Sequence, residues 1–222
     1  MIYAFPAPKL IINGCAGSVG WDRRYAAQTY AFGTEPNDFL VEVASLIPAG
    51  RVLCLAEGEG RNAVWLAGRG HEVTAVDAST VGIAKAQALA RTRGVQIVTV
   101  SADLSDYTIE PGCWGGIVAI FAHLPPALRR AVHRGAAAGL VPGGVFVLEA
   151  FTPAQVAFGT GGPSQRELLY QLADLRDDLA GLEIVIGREL ERDIFEGVYH
   201  TGRSAVVQVL ARRPGFEGRR SG

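Results

Sequence analysis

Short apolar runs alternate with longer amphipathic stretches through most of the chain. Val52 to Leu55, Glu72 to Val76, Val95 to Val100, Ile117 to Phe121 and Val145 to Glu149 read as strands. Between them, Asn62 to Ala67, Val81 to Arg93 and Pro126 to Ala138 read as helices, and Pro142-Gly143-Gly144 as a turn feeding the fifth strand. Strands that are apolar on both faces and separated by helices predict a parallel sheet covered on both sides.

Both ends depart from that rhythm. The first 20 or so residues read as an irregular arm, and Trp21 to Leu46 as helical with a turn over 33–38, where Asn37 or Asp38 can cap the next helix. Arg166 to Leu179 reads as one helix, followed by strands Leu182 to Glu191 and Arg203 to Ala211. Their connection, DIFEGVYHTG, is too short for a crossover helix, so these strands are expected to be antiparallel neighbours. The predicted fold is α/β: a doubly wound, mostly parallel seven-stranded sheet, Rossmann-like, with helices on both faces and an antiparallel C-terminal hairpin. One domain is expected over 1–222, with an N-terminal arm and helices over 1–46 and a core over 51–211.

Composition narrows the function classes. Hydrophobic residues make up 49% and charged residues 19%, enough for a sizeable core and too apolar for disorder. A net charge of −1 gives no electrostatic reason to bind nucleic acid or an anionic membrane. No apolar run approaches the ~20 residues of a membrane span. Cys15, Cys54 and Cys113 form no CxxC pair, as suits a reducing compartment, and the opening residues lack a basic leader, so a cytoplasmic location is expected. No His/Cys/Asp cluster has metal-ligand spacing, so no metal is expected.

The densest chemistry lies in RVLCLAEGEGRNAVWLAGRGHEVTAVDAS, Arg51 to Ser79. Gly58, Gly60 and Ala63 meet the pattern G-x-G-x-x-G/A between a strand and a helix, and Asp77 follows about 20 residues on, as in adenosine-binding α/β sheets. Glycines let the backbone approach a ligand, and an acid after the second strand can accept from ribose hydroxyls. Glu57 and Glu59 oppose a diphosphate at the helix N-terminus but suit the sulfonium and ammonium groups of S-adenosylmethionine. GxxxxGK[ST] is absent.

With VLCLAEGEGRNAVWLA, VTAVD, SADL (101–104), IFAHLPP (120–126) and LVPGGVFVLEAF (140–151), the chain resembles class I S-adenosylmethionine-dependent methyltransferases. WDRRY at 21–25 is similar to the lid helix of the tellurite-resistance and thiopurine methyltransferase branch. The resemblance implies that Glu57, Gly58, Glu59 and Gly60 flank the methionine part of the cofactor, with Phe121 beneath it. It further places Asp77 on the ribose, Ala78 beside the adenine, Ala102, Asp103 and Leu104 around the adenine pocket, and Trp21 and Tyr25 in a lid. The chain departs from the family's VLDLG at Cys54 and Ala56, where Glu57 and Glu59 are expected to compensate.

His123, after the fourth strand, and His200, expected in the loop between the last two strands, are the candidate catalytic residues. Glu149 ends the fifth strand on the same edge. His71 and His133 read as surface residues, and the charges around Arg188 to Arg192 as the solvated face of a strand. Oxygen or nitrogen acceptors call for a base, whereas thiolates, chalcogen or arsenic species and halides do not. Without an obvious acid–base constellation, the reading is methyl transfer to a small molecule, favouring a soft nucleophile and releasing S-adenosylhomocysteine. A nicotinamide-dependent oxidoreductase, an inactive cofactor-binding scaffold and a methyltransferase for larger metabolites stay as alternatives. Oligomeric state is not legible.

Overall fold

The computed structural model describes residues 18–215. The expected arm before Ser18, Cys15 included, lies outside them. Helices α1 (Ser18–Tyr25) and α2 (Asp38–Val43) precede β1 (Arg51–Leu55), α3 (Arg61–Gly68), β2 (Glu72–Asp77), α4 (Thr80–Thr92) and β3 (Val98–Ser101). Then come β4 (Trp114–Ile120), α5 (Pro126–Gly139), β5 (Leu140–Phe151), α6 (Leu172–Asp178), β6 (Glu183–Glu196) and β7 (His200–Arg212). The seven strands form one sheet in the order β3-β2-β1-β4-β5-β7-β6. β3 to β5 run parallel, while β7 is antiparallel to both β5 and β6.

Residue parity sorts the strand side chains into two cores. Leu53, Leu55, Ile117, Phe146 and Leu148 pack on one face beneath α5 and α6 residues such as Val132, Ala136 and Leu175. Val52, Cys54, Val118, Val145 and Val147 pack on the other, against Phe39, Leu40, Ala63 and Leu66 of α2 and α3. This is why the strands read as unbroken apolar runs. Asn37 is the cap of α2, its side chain accepting from Leu40 N–H at 3.1 Å.

Four local expectations change. Pro142-Gly143-Gly144 is not a turn but an irregular stretch within β5, beside a register shift between Trp114 and Gly116. β3 starts only at Val98, because the chain leaves α4 through left-handed Gly94 and Val95 N–H closes back on Ala90 C=O. The helix expected over Arg166 to Leu179 is broken. A 3₁₀ turn at Arg166–Leu168 gives way to extended chain where Tyr170 N–H pairs with Phe151 C=O, and α6 begins at Leu172. Tyr170 is fully buried; its hydroxyl donates to Ala122 C=O at 2.6 Å and accepts from Leu124 N–H at 2.8 Å, a tertiary demand that outweighs helix propensity. Finally, β6 and β7 extend to a turn over 197–199, so His200 is the first residue of β7 rather than part of a loop.

Gly60 is both left-handed (φ 91°) and crowded, since a Cβ there would sit 2.5 Å from Ala86 Cβ of α4. Gly70 has nearly the same φ, 90°, with nothing nearby. Gly70→Ala therefore carries the backbone cost alone, and Gly60→Ala that cost plus overpacking, an excess of ~1–3 kcal/mol. Urea denaturation of the two variants measures the difference.

Candidate functional site

The strand order reverses between β1 and β4, and ligands of open α/β sheets bind in the crevice at the carboxyl ends of such neighbours. Two non-glycine residues among those described have positive φ: Ala56 (50°), just after β1, and Phe121 (53°), just after β4. Both line a cavity of 1050 Å³ that opens at this edge. That volume lies just above the ~300–1,000 Å³ of a typical ligand site, room enough for a cofactor and an acceptor together. Strained backbone at adjacent strand ends marks this crevice independently of the cavity.

At the β1–β2 end, Asp77 is buried and accepts twice from backbone: from Gly58 N–H at 2.7 Å and from Ser79 N–H at 2.8 Å. Burial raises its pKa, with the two amides working against the rise. Glu57 Oε1 accepts from Asn62 N–H at 2.9 Å and Ala63 N–H at 2.7 Å, so this carboxyl occupies the N-terminal donors of α3. A phosphate finds those donors already taken, and the cavity wall offers carboxyls instead. That set of acceptors fits a diol and a cationic ligand and does not fit a diphosphate. Burial lifts Glu57 to about 7.

Glu59 corrects the picture of a free carboxylate. It forms an ion pair with Lys85 of α4 and accepts from Ala31 N–H at 2.7 Å. Lys85 also donates to the carbonyls of Ala27 at 2.9 Å and Thr29 at 2.8 Å, fastening the segment after α1. α1 itself is tied to α4 by Asp22, which accepts from the Ser79 hydroxyl at 2.5 Å. Tyr25 is buried, with its ring against Gly58 and Gly82, and Trp21 stacks on it at 5.6 Å.

Of the expected cofactor residues, Trp21, Tyr25, Glu57, Glu59, Asp77, Ala78, Asp103, Leu104 and Phe121 line the cavity. Gly58, Gly60 and Ala102 stand behind its wall: a Cβ on Gly58 would lie 2.6 Å from the Tyr25 hydroxyl, Gly60 packs on α4, and Ala102 N–H bonds Asp77 C=O. Cys54 is fully buried in the core and takes no part in the wall.

Both candidate histidines line the cavity, in different states. His123 Nδ1 donates to Leu168 C=O at 2.7 Å, and Nε2 accepts from Phe151 N–H at 3.4 Å, which leaves neither nitrogen free. Burial pushes its pKa down to about 4. His200 faces Glu196 across the hairpin, with Nδ1 3.4 Å from Oε2. Glu149 is fully buried and held by Arg192 and Gln208, both at 2.6 Å. Arg192 is thus drawn inward rather than solvated. His133 is buried too, 3.1 Å from Asp178. No group of three potential metal ligands occurs among the described residues.

The wall also includes residues that the sequence did not single out: Arg24, which lies within WDRRY, Phe32, Leu128 and most of the stretch from Gln155 to Ser164. Only the glycines at 159, 161 and 162 hinted that the last of these is irregular. No helix among the described residues is long and apolar enough to cross a membrane.

Residues 52–144 match the family described as Methyltransferase domain. A curated relative, 2-heptyl-1-hydroxyquinolin-4(1H)-one methyltransferase of Mycobacteroides abscessus, is 31% identical over 129 residues, 55% of this chain. The match spans 57% of that relative's length. Among solved structures, the one described as "Conversion of a Disulfide Bond into a Thioacetal Group during Echinomycin Biosynthesis" superposes with a TM-score of 0.72 at 21% identity, covering 90% of this chain and 94% of that one. TehB from Haemophilus influenzae gives 0.66 at 18% identity, covering 88% and 66%.

A carboxyl whose folded pKa is raised from 4.5 to about 7 favours the fold in its protonated form. Glu57 therefore contributes stability that is fully present below about pH 4.5 and lost as the pH rises through about 7. Relative to Glu57→Gln, whose amide oxygen keeps both helix bonds, the parent chain loses up to about 3 kcal/mol between pH 4.5 and pH 8.5. Denaturation curves of both proteins across that range test this.

Proposed function

Given a methyltransferase domain set in the class I fold of S-adenosylmethionine-dependent methyltransferases, we propose that this chain methylates a small-molecule acceptor with S-adenosylmethionine as donor. The observation that carries the reading is the wall at the β1–β2 end: Asp77 and Glu57 line the cavity and form no ion pair among the described residues, and the α3 amides are closed to phosphate by Glu57.

In this reading Glu57 and Glu59 flank the amino-acid portion of the cofactor, Asp77 holds the ribose, and Ala78, Asp103 and Leu104 surround the adenine. Gly58, Gly60 and Ala102 shape the wall from behind, and Phe121 supports the methionine side. When bound, the cofactor supplies an activated methyl group and leaves as the neutral thioether S-adenosylhomocysteine. The chain's own part is alignment and exclusion of water. Trp21 and Tyr25, stacked and anchored through Asp22 and Lys85, close the cofactor end as a lid already in place. A bound cation favours ionised Glu57, so cofactor affinity rises as the pH increases through about 7.

The acceptor half of the cavity is walled by Phe32, Phe121, His123, Leu128, Tyr199 and His200. Aromatic walls of this kind suit a flat ring system, and the Mycobacteroides relative is named for a hydroxyquinolinone acceptor. A flat heteroaromatic small molecule is thus the proposed acceptor class, and 1-hydroxyquinolin-4(1H)-ones head the assay panel.

Calorimetry tests the cofactor assignment. S-adenosylmethionine should bind and NADH should not. Asp77→Ala should weaken S-adenosylmethionine binding ten- to a hundred-fold, ~1.5–3 kcal/mol for charge-assisted bonds. Unchanged affinity in a folded Asp77→Ala protein, or heat with NADH alone, overturns the assignment.

A further inference from the structure

His200 and Glu196 face each other across the β6–β7 hairpin. Glu196 is buried, and its carboxylate is held from two further elements. Arg61 of α3 donates to Oε2 at 2.7 Å, and the Asn37 side-chain amide donates to Oε1 at 2.9 Å. A carboxylate fixed in this way accepts from His200 Nδ1, placing the proton of the neutral imidazole on Nδ1 and leaving Nε2 as the basic nitrogen. Nε2 has no protein partner among the described residues, and the residue lines the cavity. The ring is boxed by Phe32, Phe121 and Phe151 at centroid distances of 4.6, 4.7 and 5.1 Å. His123, the other histidine of the wall, has both nitrogens committed to backbone.

One more group sets the charge on this side. The Arg24 guanidinium lies between the rings of Trp21 (4.9 Å) and Tyr199 (5.0 Å), lines the cavity and has no carboxylate partner among the described residues. A cation left unpaired beside a basic imidazole suits an acceptor that becomes an anion.

We propose that His200, oriented by Glu196 as its positioning residue, takes a proton from the acceptor, and that the acceptor is a flat aromatic compound carrying an ionisable hydroxyl. The proposal rests on the methyltransferase reading above and replaces the soft nucleophile favoured by sequence. The acceptor's O–H proton moves to Nε2. Its oxygen pair forms the new O–C bond as the methyl C–S bond breaks and leaves its pair on sulfur. The imidazolium then returns its proton to water.

The charged and titratable groups around His200 are Glu196 on β6, Arg61 on α3, Arg24 on α1 and His123 after β4. Burial and the two arginines lower the imidazole's pKa, and Glu196 opposes them. Glu196 itself is held down to about 2 by His200 and Arg61, so it stays ionised through the working range.

The test pairs two flat probe acceptors, 2-naphthol and 2-naphthalenethiol, with nitrogen-15 NMR of the histidines in the cofactor-free full chain. The wild type should methylate the hydroxyl compound, and its His200 spectrum should show Nδ1 protonated and Nε2 bare. His200→Gln should lose about 100-fold or more on the hydroxyl and less than about 10-fold on the thiol, which ionises without help. Glu196→Gln should lower kcat on the hydroxyl about tenfold or more with KM little changed, and move the acid limb of the pH–rate profile to lower pH. Equal losses on both acceptors in His200→Gln, wild-type turnover of the thiol alone, or a protonated Nε2 in the wild type overturns the proposal. Failure of the methyltransferase reading shows itself differently, as wild-type protein that does not bind S-adenosylmethionine in the calorimeter.

Discussion

The reversal of strand order between β1 and β4 is the constraint from which the site follows. Two neighbouring parallel strands must send their chains to opposite faces of the sheet, which opens a gap at their carboxyl ends. Both exits pass through the left-handed region at residues with side chains, Ala56 and Phe121. Such a conformation costs of order 1–3 kcal/mol at each position and persists only where surrounding structure determines it. Here the supports are visible. Glu57 N–H pairs with Val76 C=O of β2, and Phe121 N–H with Glu149 C=O of β5.

Around that gap the protein buries an unusual amount of polar chemistry. Asn37 bridges the two acids Glu149 and Glu196, Arg192 and Gln208 satisfy the first, and Arg61 and His200 meet the second. Ion pairs at this depth are poor sources of net stability, because desolvation offsets most of the attraction. Their effect is geometric. α2, α3 and the last hairpin are held to one another through charges that tolerate no slip in register, and the hairpin carries a histidine to the cavity as a result.

The alternating elements, the seven strands, the glycine turn and Asp77 were legible because each is a local pattern: apolar run, turn residue, terminal acid. What escaped the sequence depends on partners far along the chain. Glu59 looked free because Lys85, which neutralises it, sits one helix later. Tyr170 interrupts a good helical pattern for bonds to Ala122 and Leu124. His133 looked exposed because Asp178 lies on another helix. His200 is the exception, four residues from its partner Glu196: it looked like a loop residue because the charged residues at 191–193 hide the continuation of β6 to Glu196. Arg24 lay within WDRRY without being singled out, and Phe32 had no signal at all; both enter the wall only through the docking of the N-terminal segment.

Lys85 gives that docking a thermodynamic meaning. One ammonium group holds both Glu59 in the glycine turn and the carbonyls that follow α1. The order of the segment and the shape of the turn are then a single equilibrium. Whatever occupies the turn lends part of its binding free energy to keeping the segment in place, and whatever loosens the segment weakens the occupant by the same factor. Such reciprocity needs no moving hinge, only a cation shared between two parts of the chain.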